Sequence, residues 1–279
     1  MLVENTPAII KTSYVHTYEN RPIPYTVLSN SDGNSPIGTI IFLGTVQVGK
    51  LAEWVMEGCP PNTIVVQGAP HWFAESDGSD IRNYVFDFTE QAFKILLRNF
   101  PITKAHVIAE SQAVPGVLGL FAQGKYASYL KKMTLLQPLG LNSTAYQGTD
   151  TQRVETLRRR IAANFLYQVA PFILDKRLRY NHRLLRKIVG ISLRDAKARA
   201  QYGTGLSYDA IPDLKRLYAL QKDVVVICGN NDKLFPPAEI SALLARNKMH
   251  IEVRTVKGVP HSPLATRYGQ RLLAVALNS

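Results

Sequence analysis

Three residues with complementary chemistry follow one another along the chain as serine, aspartate and histidine, each placed just past an apolar run. Ser111 sits in A-E-S-Q-A, directly after Ala105 to Ala109. Asp232 sits in G-N-N-D-K-L-F-P, Gly229 to Pro236, after D-V-V-V-I-C. His261 sits in G-V-P-H-S-P, Gly258 to Pro263, after the run from His250 to Val256. Together these types could attack a carbonyl. A serine hydroxyl is a poor nucleophile near neutral pH and needs a base within hydrogen-bonding reach. Histidine titrates near neutrality, so His261 could take that proton and return it to a leaving group. Asp232 would fix the tautomer of the imidazole and stabilise the imidazolium as it forms.

The local pattern around Ser111 supports a sharp turn. Apolar residues resume at helical spacing from Val114 to Phe121, so a strand must bend straight into a helix. Bulk two positions from the serine would collide with neighbouring backbone, and Ala109 and Ala113 are small. That is the physical content of the nucleophile elbow G-x-S-x-G, here with alanines at the glycine positions. Each residue also has a plainer reading. Ser111 could cap an ordinary helix, Asp232 could sit at a helix N-terminus, and His261 could be an exposed loop histidine.

The elements that must position them alternate. Residues 12 to 29 read as two strands joined near Glu19-Asn20-Arg21. Strand-like runs follow at Gly38 to Leu43, Asn62 to Gln67, Ala105 to Ala109, Lys132 to Gln137, Asp223 to Cys228 and His250 to Val256. Helical periodicity falls at Val48 to Glu57, Asn83 to Asn99, Val114 to Phe121, Pro237 to Arg246 and Leu264 to Leu277. The pattern predicts an α/β chain with a mostly parallel eight-stranded sheet flanked by helices, its first two strands antiparallel. Chemistry in such sheets lies beyond the carboxyl ends of the strands. Thr45, His71 with Trp72, Ser111, Gln137, Asp232 and His261 all fall at strand ends.

Composition narrows the classes. The chain of 279 residues is 46% hydrophobic and 19% charged, enough for a sizeable core. No run reaches the roughly 18 apolar residues of a membrane span, and no signal peptide is visible, which predicts a cytoplasmic protein. Cys59 and Cys228 lack metal-ligand spacing and read as buried thiols of a reducing compartment. The net charge of +12 is regional: from Gly140 to Ala210 thirteen Lys and Arg face five Asp and Glu. With no nucleic-acid module and no aromatic interleaving, nucleic acid is not the expected partner.

These motifs resemble the α/β-hydrolase family, in which the order serine, acid, histidine is usual. The resemblance spans nearly the whole chain. It implies Ser111 as nucleophile, Asp232 as acid and His261 as base. It also implies an oxyanion hole from the backbone N–H groups of Gln112 and Thr45, the latter because L-G-T, Leu43 to Thr45, aligns with the family's H-G-x loop. Leu43 departs from the usual histidine there. Family members commonly carry a helical cap after the sixth strand, so residues 140–207 read as a cap inserted into a core of residues 1–139 and 208–279. Thr151 to Ala163 and Asp175 to Gly190 are its candidate helices. Its cations would suit an acidic substrate, an acyl carrier or an anionic membrane surface, or would simply be a solvated helix face.

The expected function is hydrolysis of a carboxylic ester or thioester of a small-molecule acyl substrate through an acyl-enzyme. No cofactor and no metal are expected. Two alternatives stay open: a C–C bond hydrolase of β-diketone-like substrates, which uses the same groups, and a binding protein of this fold without catalysis.

Overall fold

The computed structural model describes residues 9–18, 21–44, 51–68, 81–141, 147–163, 206–261, 264 and 266–279. Its centre is one eight-stranded sheet. The strands are β1 (Ile10–Tyr18), β2 (Arg21–Ser29), β3 (Thr39–Leu43), β4 (Thr63–Gln67), β5 (Ala105–Glu110), β6 (Leu130–Leu136), β7 (Asp223–Gly229) and β8 (Glu252–Val256). They lie in the order β1-β2-β4-β3-β5-β6-β7-β8. β1 and β2 form an antiparallel hairpin, and β2 runs antiparallel to β4. Every other pairing is parallel.

The central strands are buried on both faces, which is why they read as unbroken apolar runs rather than alternating ones. Successive side chains still point to opposite faces. Ile40 and Phe42 of β3, Val107 and Ala109 of β5, and Val224 and Val226 of β7 enter one core. Ile41 and Leu43, Ile108, and Val225 and Ile227 enter the other.

Helices cover both layers. The first core is closed by α2 (Ile81–Asn99), α3 (Val114–Ala122), α5 (Ile211–Ala219) and α6 (Pro237–Arg246). The second is closed by α1 (Leu51–Met56) and α7 (Arg267–Leu277). Helix α4 (Asp150–Ala163) lies between β6 and α5 in the chain. Two helices approach unusually closely: a Cβ added at Gly116 of α3 would overlap Thr89 Oγ1 on α2. This lets α3 lie tight against α2.

The sequence reading differs from the structure at identifiable places. Helix α5 was not expected, although Pro212 in its first turn and buried Ile211, Leu214 and Leu217 at three-residue spacing are a helix signature. The last helix begins at Arg267 instead of Leu264, because Thr266 caps it by accepting from the Gly269 N–H at 3.0 Å. Cys59 is only partly buried, with its thiol on the Val55 carbonyl, while Cys228 is fully buried. Of the two expected cap helices, the first is α4; residues 175–190 lie outside the described residues. Among the described residues no helix is long and apolar enough to cross a membrane.

Candidate active site

The strand order reverses around β3, with β4 on one side and β5 on the other, which opens a crevice at the carboxyl ends of these strands. Ser111 stands there. It follows Glu110, the last residue of β5, and opens a single 3-10 turn that leads into α3. Its φ is +47°, a left-handed conformation that a residue with a side chain adopts only under constraint. The bend is fixed by a backbone bond from Leu139 N–H to the Ser111 carbonyl at 3.3 Å. The plain reading of Ser111 as a helix cap fails, because Ala113 occupies the capping position of α3.

Asp232 and His261 meet the serine from across the sheet. Asp232 lies in the loop between β7 and α6 and is 1% exposed. Its Oδ1 accepts from the Leu234 and Phe235 N–H groups at 2.9 and 2.8 Å. Its Oδ2 lies 2.9 Å from His261 Nδ1. A carboxylate oxygen can only accept, so the proton belongs on Nδ1 and leaves Nε2 free to accept. Nε2 is 3.4 Å from Ser111 Oγ. The ring of Phe235 meets the His261 imidazole edge-on, centroids 5.1 Å apart, and limits its rotation. Asp232 is therefore not a helix-terminal acid, nor is His261 a free loop residue.

The two loops are knitted to each other. Asn231 N–H bonds to the Val259 carbonyl at 3.0 Å, and Gly258 N–H bonds to Asn230 Oδ1 at 2.7 Å. Gly229 is required where they touch, since a Cβ there would overlap the Val259 carbonyl. From β6, the side chain of Gln137 donates to the Pro260 carbonyl at 2.8 Å, immediately before His261. Gln137 is 1% exposed and has φ +46°. In sequence it appeared only as one of several residues at strand ends, with no role attached.

The second residue that sequence reasoning missed is Glu110. It is buried beneath the elbow, where Oε2 accepts from Gly44 N–H at 3.1 Å and Oε1 accepts from Leu264 N–H at 3.0 Å. Burial raises its carboxyl above the ordinary value, and those two N–H groups and the nearby His261 offset part of that rise. A charged residue at the buried end of an apolar strand was the available signal.

Of the residues expected as oxyanion donors, Gln112 follows Ser111 within the 3-10 turn. A Cβ on Gly44 would stand 3.5 Å from Ser111 Cβ and 3.7 Å from Gln112 N, so the chain leaving β3 runs along the elbow. Thr45, His71 and Trp72 lie outside the described residues. Leu43, in the histidine position of the expected loop motif, is 4% exposed and packs in the second core. Among the described residues no three His, Cys, Asp or Glu side chains group as a metal site requires.

No family model matches the sequence, and no curated protein matches it. Solved structures match it over nearly full length. The chain is similar to a 2-hydroxy-6-oxo-6-phenylhexa-2,4-dienoate hydrolase from a Rhodococcus strain, with TM-score 0.62 and 16% identity over 98% of this chain and 100% of that one. It is similar to an α/β-hydrolase enzyme from a Medee basin deep-sea metagenome library, with TM-score 0.56 and 18% identity over 95% and 96% of the two chains. A thioesterase domain from the curacin biosynthetic pathway gives 0.57 and 14% over 96% and 99%. Strand order, the turn after β5 and these likenesses agree: the chain has the α/β-hydrolase fold.

Proposed function

We propose that the protein is a serine hydrolase that cleaves a carboxylic ester or thioester through an acyl-enzyme. Ser111 Oγ attacks the carbonyl carbon while its proton passes to His261 Nε2. Asp232 holds the imidazolium through Nδ1–H. The carbonyl oxygen gains the negative charge and is met by the N–H groups of Gln112 and Thr45. Collapse expels the alcohol or thiol, which takes the proton from His261, and water then repeats the cycle on the acyl-Ser111 ester. Residues 140–207 would form a cap that excludes water and shapes the acyl pocket.

One observation carries this reading: the hydrogen-bonded line from Ser111 Oγ through His261 to Asp232, begun by a serine held at positive φ. A binding protein has no use for a strained serine aligned on a base. The hydrolase names of the similar structures, thioesterase among them, point the same way. A second reading, C–C bond hydrolysis, keeps the same residues, and it draws support from the likeness to the hydroxy-oxo-dienoate hydrolase. The discriminating experiment is reaction with a serine-directed fluorophosphonate, read as adduct mass. Wild type should take up one equivalent and Ser111→Ala none. Labelling that survives in Ser111→Ala overturns the assignment. Turnover of an activated ester against a vinylogous β-diketone then separates the two readings.

A further inference from the structure

We propose that Glu110 is a positioning residue of this site, acting as an ionised carboxylate that fixes the nucleophile, the loop leaving β3 and the loop carrying His261 in one frame. The proposal rests on the serine hydrolase reading above and deepens it.

Both carboxyl oxygens of Glu110 are committed as acceptors, one to Gly44 N–H and one to Leu264 N–H. Gly44 leads directly into the segment expected to supply the second oxyanion donor. Leu264 follows His261 closely and precedes the cap of α7. Glu110 itself is bonded through the chain to Ser111. A single side chain thus spans the three places whose relative positions decide whether attack, proton transfer and charge stabilisation coincide. Displacements of about 1 Å in such groups cost roughly a hundredfold in rate.

The chemistry of the contact selects a carboxylate. Two N–H donors approach its two oxygens, and among the described residues no acceptor approaches either one. A glutamine in the same place would aim its NH2 at one of the N–H groups and leave that donor unpaired in the interior, at a cost of about 1–3 kcal/mol. An aspartate would keep the charge but is too short to span both donors.

The charge has a second consequence. His261 is near enough for its imidazolium to interact with Glu110, and Asp232 lies behind that ring from the β7–α6 loop. The neighbouring strand ends contribute Gly44 from β3 and Gln137 from β6, and the elbow contributes Ser111 and Gln112; the glycine and both glutamines do not titrate. A fixed negative charge at Glu110 favours the imidazolium, which forms when His261 takes the serine proton. Removing it should slow the reaction and also move the low-pH limb of activity to lower pH. A side chain that merely filled space would lower the rate and leave that limb where it was.

The test is the second-order rate of fluorophosphonate labelling of the full chain across the acidic and neutral range, with thermal melting as the check of folding. Glu110→Gln should label about ten- to a hundredfold more slowly, with its acidic limb displaced to lower pH. Glu110→Asp should be slowed with its limb in place, because the charge remains. A folded Glu110→Gln that labels at the wild-type rate, or more slowly with an unmoved limb, overturns the proposal. If Glu110→Gln does not fold, Glu110→Asp decides: a wild-type rate there overturns it and a slowed one supports it. Ser111→Ala runs beside them. Its failure to lose labelling would sink the hydrolase reading, whereas its loss beside an unaffected Glu110→Gln would sink only the role of Glu110.

Discussion

The guanidinium of Arg160 is held at two points by the carboxylate of Glu239, Nη2 to Oε1 at 2.9 Å and Nη1 to Oε2 at 3.3 Å. Arg160 lies near the end of α4, and Glu239 lies in the first turn of α6. The same Nη1 also reaches the Leu234 carbonyl at 3.2 Å, so α4 is tied to the loop that carries Asp232. Arg160 is thus engaged in holding two elements together, whatever the neighbouring cations do. Arg158 and Arg159, more exposed, share Glu155 on their own helix.

A double-mutant cycle measures that tie. Arg160→Ala and Glu239→Ala should each destabilise the fold, and the pair should show a coupling of about 1 kcal/mol, above the value for wholly exposed ion pairs because both partners are partly covered. Chemical denaturation of the four proteins gives the number. Strict additivity would show that the bridge holds nothing. Reversing Arg158 and Arg159 while sparing Arg160 is correspondingly the cleaner way to ask whether the charge on α4 attracts an acidic substrate. An anionic ester would then lose its salt-dependent advantage over a neutral one.

Asp232→Asn should lower turnover by about four orders of magnitude while leaving the fold intact. The backbone decides how the amide faces. Leu234 and Phe235 N–H groups both point at Oδ1 and admit only an acceptor. The asparagine oxygen must take that side, and its NH2 is turned toward His261 Nδ1. The imidazole then carries its proton on Nε2, facing Ser111, where it cannot accept the serine proton. Steady-state kinetics on an activated ester checks this. A loss of only a few-fold would require another acid to orient the histidine.

How far the sequence disclosed the site depends on the range of each contact. Ser111, Asp232 and His261 were legible because each follows a buried parallel strand, whose continuous apolar run stands out, and because their order is informative. Glu110 and Gln137 were not. Their partners are Leu264, 154 residues along the chain from Glu110, and Pro260, 123 residues from Gln137. Nothing near either residue in sequence announces such a contact. Strand ends shifted for a related reason: β5 runs on through Glu110 because pairing with Leu136 continues past the last apolar residue. Helix α5 carried a readable signal in Pro212 and its apolar spacing, but it follows a basic segment without strand–helix alternation. Tertiary pairing, not local preference, set the details.

His106 makes the stability of the fold depend on pH. His106 lies on β5, with Nε2 2.7 Å from Thr134 Oγ1, which in turn is 3.3 Å from Ser279 Oγ. Burial, followed by the nearby charges of Lys132 and Lys131, lowers its pKa from 6.5 to about 4. The fold therefore holds this imidazole neutral, while in the unfolded chain it protonates as soon as the pH falls below its ordinary value. Its contribution is fully present above pH 6.5, declines as the pH falls, and is gone by about pH 4. The shift corresponds to at most ~3 kcal/mol. Denaturant midpoints recorded from neutral to acidic pH should fall more steeply for wild type than for His106→Gln, which keeps a partner for Thr134 and cannot titrate. After subtraction of the offset at neutral pH, the two curves should separate progressively down to about pH 4 and run parallel below it. Parallel curves across that interval would mean that His106 takes up its proton as easily in the folded protein as outside it, and that its burial carries no electrostatic cost.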